Sequence, residues 1–139
     1  MFSWLAGKSA KPLTLGQAGE LLAQAEYKKR GYEVVAANFF NRQGLRLGEI
    51  DFIAKNGQEL VFVEVKTRTH NLGKFGSGGE AVNRPKQLKI LKAVKVFLQH
   101  QPALAELRPR IDVCVVELER LDKAPKSVII ITNAVEDWN

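Results

Sequence analysis

One segment, GEIDFIAKNGQELVFVEVKTR at residues 48–68, constrains the fold of this chain more than any other. It contains two largely apolar runs on either side of Asn56-Gly57, a dipeptide that strongly favours a two-residue hairpin turn. Such a hairpin belongs in a sheet whose core side is apolar. The segment nevertheless carries four charged residues, which are Glu49, Asp51, Glu64 and Lys66. The sequence therefore predicts a hairpin that brings several charges into a sheet.

The position of the turn determines which side chains share a face of the sheet. With Asn56-Gly57 at its centre, the hairpin places Asp51 opposite Phe62 and Glu49 opposite Glu64. Strand alternation then puts the four charged residues on one face. The other face receives Ile50, Phe52, Val61, Val63 and Val65. A four-residue loop gives the same faces, whereas a three-residue loop would set the acids against valines. The charges converge if the loop is even in length.

Three carboxylates on one face repel one another, which costs stability unless a cation offsets the repulsion. Mg²⁺ takes oxygen ligands and keeps positions for water and phosphate oxygens. Lys66, one strand step beyond Glu64, can position or deprotonate a water or stabilise charge in a phosphoryl transition state. These residues predict metal-assisted phosphodiester hydrolysis. The alternative is a solvated sheet face on which Asp51 and Glu64 are surface acids paired with Lys66.

The remaining chain predicts an α/β layer structure with a mixed sheet. Thr14 and Gln17 have capping-box spacing at the start of a helix that ends at Gly31, and Asn83 and Pro85 begin a second helix. YEVVAANFF, RIDVCVVEL and SVIIIT are predicted strands. The order is helix, three strands, helix, two strands.

The 139 residues suit one domain, which we expect at residues 13–139 after a flexible segment at 1–12. The glycine-rich stretch TRTHNLGKFGSGGE is expected to be a mobile loop. No apolar run approaches the roughly 18 residues that cross a bilayer, and the N-terminal apolar stretch is too short for a secretory signal. We therefore expect a cytoplasmic protein without a membrane partner. Cys114 is the only cysteine and is a predicted core residue.

Positive charge is concentrated in residues 66–100, which hold eight Lys and Arg residues against the single acid Glu80. The formal net charge of the chain is +6. A local excess of this kind favours an anionic partner such as nucleic acid, although a solvated basic helix has the same composition. The residues predicted to contact DNA are Arg68, Lys74, Arg84, Lys86, Lys89 and Lys92. For Lys86 and Gln87 the alternatives are a reach toward the acidic site or, by default, a solvated first turn.

The spacing of Asp51 and Glu64-Val65-Lys66 across a hairpin resembles the PD-(D/E)XK nuclease signature, with Ile50 where the signature has proline. Over nearly the whole chain the sequence resembles the YraN family of small bacterial proteins, which are similar to archaeal Holliday-junction resolvases. The matching motifs include LGQAGELLA, NFFNRQGLRLGEIDFIA, LVFVEVKTR, FGSGGEAV and ITNAVED. The resemblance implies a restriction-endonuclease-like core of order αβββαβ, with a mixed central sheet flanked by helices.

The resemblance also implies a site for Mg²⁺ or Mn²⁺. Asp51 and Glu64 would be metal ligands, the Val65 carbonyl a third, and Lys66 the catalytic lysine. Glu20 matches the first-helix glutamate that completes such sites, although its position is also that of an exposed helix residue. Glu49 is either an accessory group or a solvated acid. His70 and His100 lack metal-ligand spacing.

Three functions are compatible with these residues. The first is a metal-dependent DNA endonuclease that acts on branched or single-stranded DNA in recombination, repair or DNA uptake. The second is a nucleic-acid-binding module of nuclease fold whose cleavage is weak, lost or dependent on a partner. The third is an interaction domain with a fortuitous acidic hairpin. A homodimer is a candidate assembly for the nuclease.

Overall fold

The computed structural model describes residues 12–37, 50–69, 83–119 and 124–135. Within these ranges the elements in chain order are α1 (Leu15–Lys29), β1 (Glu33–Ala37), β2 (Phe52–Asn56), β3 (Glu59–Thr69), α2 (Arg84–Gln99), α3 (Pro102–Ala105), β4 (Arg108–Leu118) and β5 (Ser127–Ile131). The predicted α/β fold and its element order are confirmed, with the short helix α3 as an addition. No helix in the described part of the chain has the length and apolar content needed to cross a membrane.

Several predictions fall on other parts of the chain. Residues 1–11 of the predicted flexible segment lie outside the described ranges, as do Glu49 and most of the predicted glycine-rich loop with His70 and Lys74. The assignment of residues 13–139 to one domain stays a prediction.

The described strands form one mixed sheet in which spatial order follows chain order, β1-β2-β3-β4-β5. The β3 and β4 strands are parallel and pair from Glu59 with Arg108 to Thr69 with Leu118. The other neighbouring strands are antiparallel. Because parallel neighbours need a crossover connection, α2 lies in the segment that joins β3 to β4.

Both long helices begin with the caps that the sequence predicts. At α1 the Gln17 backbone N–H donates to Thr14 Oγ1 at 3.1 Å, and the Thr14 N–H donates to Gln17 Oε1 at 2.9 Å. At α2 the Lys86 N–H donates to Asn83 Oδ1 at 3.0 Å. These bonds satisfy backbone donors that have no partner inside the helix. Gly31, with φ of 94°, lets the chain turn from α1 into β1.

Each face of the sheet packs against one long helix. Ala18, Ala23 and Tyr27 of α1 belong to a buried cluster with Phe52 and Val63. The second cluster joins α2 to the other face, and its members include Ile53, Phe62, Ile90, Val94 and Ile111. The sheet is therefore buried between the two helices, as expected for an α/β layer structure.

The β2–β3 turn differs from the prediction by one residue. Asn56 pairs with Glu59 and Phe52 with Val63, so that Gly57 and Gln58 form the two-residue loop. Gly57 has φ of 60°, a conformation that glycine adopts without steric cost. The predicted pairing of Asp51 with Phe62 is therefore wrong. The loop is nevertheless even in length, which is the condition under which Asp51 and Glu64 converge.

The strand ladder becomes irregular just before β2. The Asp51 N–H donates to the Val63 carbonyl at 2.9 Å, although Val63 is already the pairing partner of Phe52. Ile50 consequently packs with Ile53 in the α2-side cluster. The prediction that Ile50 and Phe52 share a face is wrong, because strict alternation does not extend beyond the regular strand.

Candidate metal and catalytic site

Asp51 is held against the centre of β3 by two hydrogen bonds. Its Oδ2 accepts from the Val65 backbone N–H at 2.7 Å, and its own N–H donates to the Val63 carbonyl at 2.9 Å. These partners lie on either side of Glu64 in the chain. The Asp51 side chain is buried, with 5% of the residue exposed. The structure thus brings Asp51 next to the Glu64 segment, as the hairpin predicts.

Glu64 is a carboxylate in the middle of the sheet, and the residue is 1% exposed. Its Oε1 lies 2.7 Å from Lys66 Nζ and 3.3 Å from Lys86 Nζ, which are ion-pair contacts rather than well-aligned hydrogen bonds. Oε2 has no hydrogen-bond partner among the described residues. Because a buried acceptor without a partner costs free energy, Oε2 is the atom of this cluster best placed to accept a ligand.

Lys66 is the more enclosed of the two cations at Glu64, with 13% of its side chain exposed against 25% for Lys86. Burial lowers the pKa of the Lys66 ammonium. The contact with Glu64 acts in the opposite direction, and the Lys86 ammonium lowers the pKa further. Lys66 therefore releases a proton more readily than an exposed lysine does. The two lysines and Glu64 form a cluster around Glu64 Oε1, and Asp51 is hydrogen-bonded to the Val65 N–H beside it.

Both long helices begin beside the half of β3 that runs from Glu64 at its centre to Thr69 at its carboxyl end. Gly19 of α1 packs directly on Thr67, and Lys86 in the first turn of α2 contacts Glu64. Neither helix has an acidic residue in its first turn. Ligands in α/β folds bind beyond the carboxyl ends of parallel strands, and helix N-termini favour anions. The surroundings of the cluster therefore suit a phosphate group.

The structure does not group Glu20 with the two hairpin acids. Glu20 lies half-buried on α1, and the described residues contain no set of three or more His, Cys, Asp or Glu side chains that could hold a metal ion. The backbone N–H of Val65 binds Asp51. The assignment of Glu20 and the Val65 carbonyl as metal ligands stays a prediction, as does the metal itself.

The residues predicted to contact DNA have different surroundings. Arg84, Lys89 and Lys92 are exposed on α2, whereas Arg68 is half-buried and donates from Nη1 to the Thr67 carbonyl at 3.2 Å. Lys86 points to Glu64. A contact of Lys86 with the acidic site was one of the two sequence predictions, and a solvated first turn was the default. The default was wrong because helix periodicity does not show what packs against a helix.

A third buried acid, Asp112 on β4, has partners at both carboxylate oxygens. Its Oδ2 accepts from Tyr27 Oη at 2.7 Å and from Arg110 Nη2 at 3.0 Å, and its Oδ1 accepts from Arg110 Nε and the Asn133 N–H, both at 2.9 Å. Arg110 also pairs with Glu59 at 2.9 Å. These contacts of Asp112 with Tyr27 and Arg110 were not predicted from the sequence. Their signal is an acid at an inward-facing position of the strand RIDVCVVEL.

Two further residues have structural roles. Cys114 is fully buried in the α1-side cluster, as predicted, and burial raises the pKa of its thiol to about 12. The thiol is therefore unreactive at neutral pH. His100 follows α2 with Nδ1 at 2.8 Å from the Val96 carbonyl.

Comparison with known proteins identifies the family. The sequence profile of "Uncharacterised protein family UPF0102" matches residues 19–116, a range that includes Asp51, Glu64, Lys66 and Lys86. The chain belongs to UPF0102. The predicted YraN family is confirmed by this match. The family label states no activity, so the nuclease function remains to be argued from the site.

Individual UPF0102 relatives are similar to this chain over about two thirds of its length. A UPF0102 protein of Carboxydothermus hydrogenoformans is 40% identical over 98 residues, which are 70% of this chain and 77% of the relative. One of Acinetobacter baumannii strain AYE is 42% identical over 99 residues, or 71% of this chain and 70% of the relative. One of Caldicellulosiruptor saccharolyticus is 44% identical over 89 residues, or 64% of this chain and 70% of the relative.

Proposed function

We propose that this UPF0102 protein is a metal-dependent endonuclease that hydrolyses phosphodiester bonds in DNA. The proposal rests on Glu64, a buried carboxylate whose Oε1 contacts Lys66 and whose Oε2 has no hydrogen-bond partner in the described chain. Asp51 is held beside it by the Val65 N–H. A pair of carboxylates with an adjacent lysine of lowered pKa is a combination suited to hydrolysis of phosphate esters.

The donor set fits a hard divalent cation. The described residues bring together two carboxylates, and Mg²⁺ or Mn²⁺ commonly binds through one or two carboxylates while it keeps water and phosphate oxygens as other ligands. Asp51 and Glu64 would hold the ion, and Glu20 and the Val65 carbonyl are candidates for further positions. When bound, such an ion supplies water activation and charge stabilisation.

Lys66 has its own role in the proposed reaction. Its Nζ lies 2.7 Å from Glu64 Oε1, so the ammonium is fixed beside the carboxylate that would hold the ion. Burial lowers its pKa, which favours proton exchange with a water or with a phosphate oxygen. In its charged form Lys66 would donate a hydrogen bond to the phosphate and stabilise negative charge there.

The alternative is a nucleic-acid-binding module whose cleavage is weak, lost or dependent on a partner. One observation favours it: Glu64 Oε1 already contacts two ammonium groups, those of Lys66 and Lys86. The exposed basic residues of α2 would serve either function. Metal-linked stability and cleavage distinguish the two.

The test is thermal unfolding in Mg²⁺, Mn²⁺ or EDTA, combined with cleavage of labelled linear, single-stranded and four-way-junction DNA. A ligand that binds only the native state stabilises it, by about 2.7 kcal/mol at a hundredfold excess over Kd. We expect wild type to gain stability from metal and to cleave. Asp51→Asn and Glu64→Gln should lose both properties and bind DNA equally or more tightly, because negative charge near phosphate is removed.

Two further variants sharpen this test. Lys66→Ala should lose cleavage but keep the metal-linked gain. Glu106→Gln removes an exposed carboxylate between α3 and β4 and should behave as wild type. The contrary result is a wild-type protein that binds DNA well without cleavage and without a gain in stability from metal. That result would contradict the nuclease and favour the nucleic-acid-binding module.

A further inference from the structure

Lys86 is a second cation on a carboxylate that already has one. It lies in the first turn of α2, where its backbone N–H donates to Asn83 Oδ1, and its Nζ is 3.3 Å from Glu64 Oε1. Lys66 contacts the same oxygen at 2.7 Å. One ammonium is sufficient to balance the charge of Glu64. The contact of Lys86 with Glu64 therefore exceeds what the charge of Glu64 requires.

Charge balance limits what this cluster can accommodate. Glu64 carries one negative charge, and the ammonium groups of Lys66 and Lys86 both already contact one of its oxygens. A divalent cation at Glu64 would add two positive charges within a few ångströms of both lysines, where burial weakens solvent screening. At least one ammonium then has to move away. The exposed fractions favour Lys86, because 25% of its side chain is exposed against 13% for Lys66.

We propose that Lys86 is a positioning residue that occupies Glu64 in the metal-free protein and transfers to a DNA phosphate oxygen when a divalent cation takes Glu64. This rests on the proposed function. The flexible stem of lysine permits the movement, and the N-terminus of α2, without an acid in its first turn, favours a phosphate at the same place. Divalent cation and DNA then bind cooperatively, because the phosphate receives the ammonium that the cation displaces.

Variants at Lys86 test whether Lys86 competes with a divalent cation for Glu64. We would compare Lys86→Met, Lys86→Arg and the matched control Lys95→Met, which alters an exposed lysine of the same helix outside the predicted DNA contacts. Calorimetric titration of metal-free protein with Mn²⁺ should give about tenfold tighter binding for Lys86→Met, because a competing cation is gone. Lys86→Met should also unfold at a lower temperature in EDTA, since Glu64 loses a partner. Lys86→Arg and Lys95→Met should stay near wild type.

Amine labelling of the unmutated full chain tests the movement itself and needs no variant to fold. With Mn²⁺ in place of EDTA, mass spectrometry should show faster modification of Lys86, while Lys66 stays protected and Lys89 is unchanged. A labelling rate of Lys86 that does not respond to Mn²⁺, or a Lys86→Met protein with wild-type Mn²⁺ affinity, would overturn the exchange and leave the nuclease standing. The nuclease proposal fails under a different outcome. If wild type does not bind Mn²⁺, or if Asp51→Asn binds it equally well, both proposals are lost.

Discussion

Two buried acids in this sheet show why burial alone does not identify a functional carboxylate. Asp112 is fully buried, and both its oxygens accept two hydrogen bonds each. Glu64 is equally enclosed, yet its Oε1 is shared by two ammonium groups and its Oε2 has no hydrogen-bond partner in the described chain. A satisfied buried acid stabilises the fold, whereas an unsatisfied one retains binding capacity. We therefore assign a structural role to Asp112, and the contrast supports the proposed ligand-binding role of Glu64.

The Tyr27–Asp112 hydrogen bond should make stability depend on alkaline pH. Burial, followed by the charge of Asp112 and the hydrogen bond to it, raises the pKa of Tyr27 above its ordinary value of 10.0. Because the folded-state pKa is the higher one, this contribution is complete below about pH 10 and is lost as pH rises further. In urea unfolding, wild type should lose more stability than Tyr27→Phe between about pH 9 and pH 11.

At neutral pH, Tyr27→Phe should cost about 1–2 kcal/mol of unfolding free energy, since Asp112 loses one donor. Tyr32→Phe is the control, because Tyr32 lies edge-on to Tyr27 but donates to Glu59 instead. Equal alkaline losses in wild type and Tyr27→Phe would contradict this account.

At the level of elements, α1 approaches β3 more closely than a side chain at residue 19 would permit. A Cβ placed on Gly19 would overlap Thr67 Oγ1 and would also crowd Thr67 Cβ. Rotation of the threonine alone therefore cannot make room. Gly16, one turn earlier on the same helix, has open space around the same position. The small residue at 19 sets the distance between the first helix and the strand that carries Glu64 and Lys66.

This contrast predicts opposite effects for two similar substitutions. Gly19→Ala should destabilise the protein by about 1–3 kcal/mol, because the helix must shift from β3. Gly16→Ala should be neutral or stabilise by up to about 1 kcal/mol, since alanine favours the helix. Urea unfolding measures both. If Gly19→Ala were as stable as Gly16→Ala, the close helix contact would have no energetic importance.

Much of each helix and strand could be predicted from local sequence. The predictions that were wrong concern features that depend on residues distant in the sequence. Thr14 and Asn83 mark helix starts through their side-chain oxygens, and Gly31 marks a helix end through its left-handed backbone, so these local predictions were correct. The even hairpin loop was correct for the same reason. Its shift to Gly57-Gln58 and the irregular ladder at Asp51 reflect how β2 fits between β1 and β3, which a turn motif does not encode.

The site also combines local contacts, which could be predicted, with long-range contacts, which could not. Asp51, Glu64 and Lys66 lie on one hairpin, and periodicity suffices to bring them together. Lys86 reaches Glu64 only because α2 packs over that face, and Tyr27 reaches Asp112 across 85 positions of sequence. Contacts of this range depend on the packed tertiary structure.

At the scale of the whole molecule, the first turn of the basic helix α2 lies toward the carboxyl end of β3, and its Lys86 reaches Glu64 at the centre of that strand. The N-terminal part of α1 lies toward the same end of β3, and α2 exposes Arg84, Lys89 and Lys92. The last turn of α1, with exposed Lys28 and Lys29, lies toward the other end. Positive charge thus occurs at both ends, and α2 is the helix whose Lys86 contacts Glu64. DNA that binds for cleavage should use the α2 set.

Replacement of Lys89 and Lys92 together by alanine should therefore weaken DNA binding and reduce its salt dependence. Each lost phosphate contact should flatten the plot of log affinity against log salt by about 0.9 for duplex DNA. The matched control is Lys28→Ala with Lys29→Ala, which removes the same charge from the opposite end. Fluorescence anisotropy across a salt series gives both slopes. Equal loss in the two double variants would assign DNA binding to net charge rather than to α2.

The parallel pairing of β3 with β4 also has a consequence for how the chain folds. Glu59 pairs with Arg108, so two central strands of the sheet come from segments separated by an entire helix. Contacts between such distant segments require closure of a long loop and form slowly. During synthesis α1 and the first three strands leave the ribosome well before β4. Until residues 108–118 emerge, one edge of β3 has no strand beside it, and the segment that carries Glu64 and Lys66 is exposed to incorrect pairing with other chains.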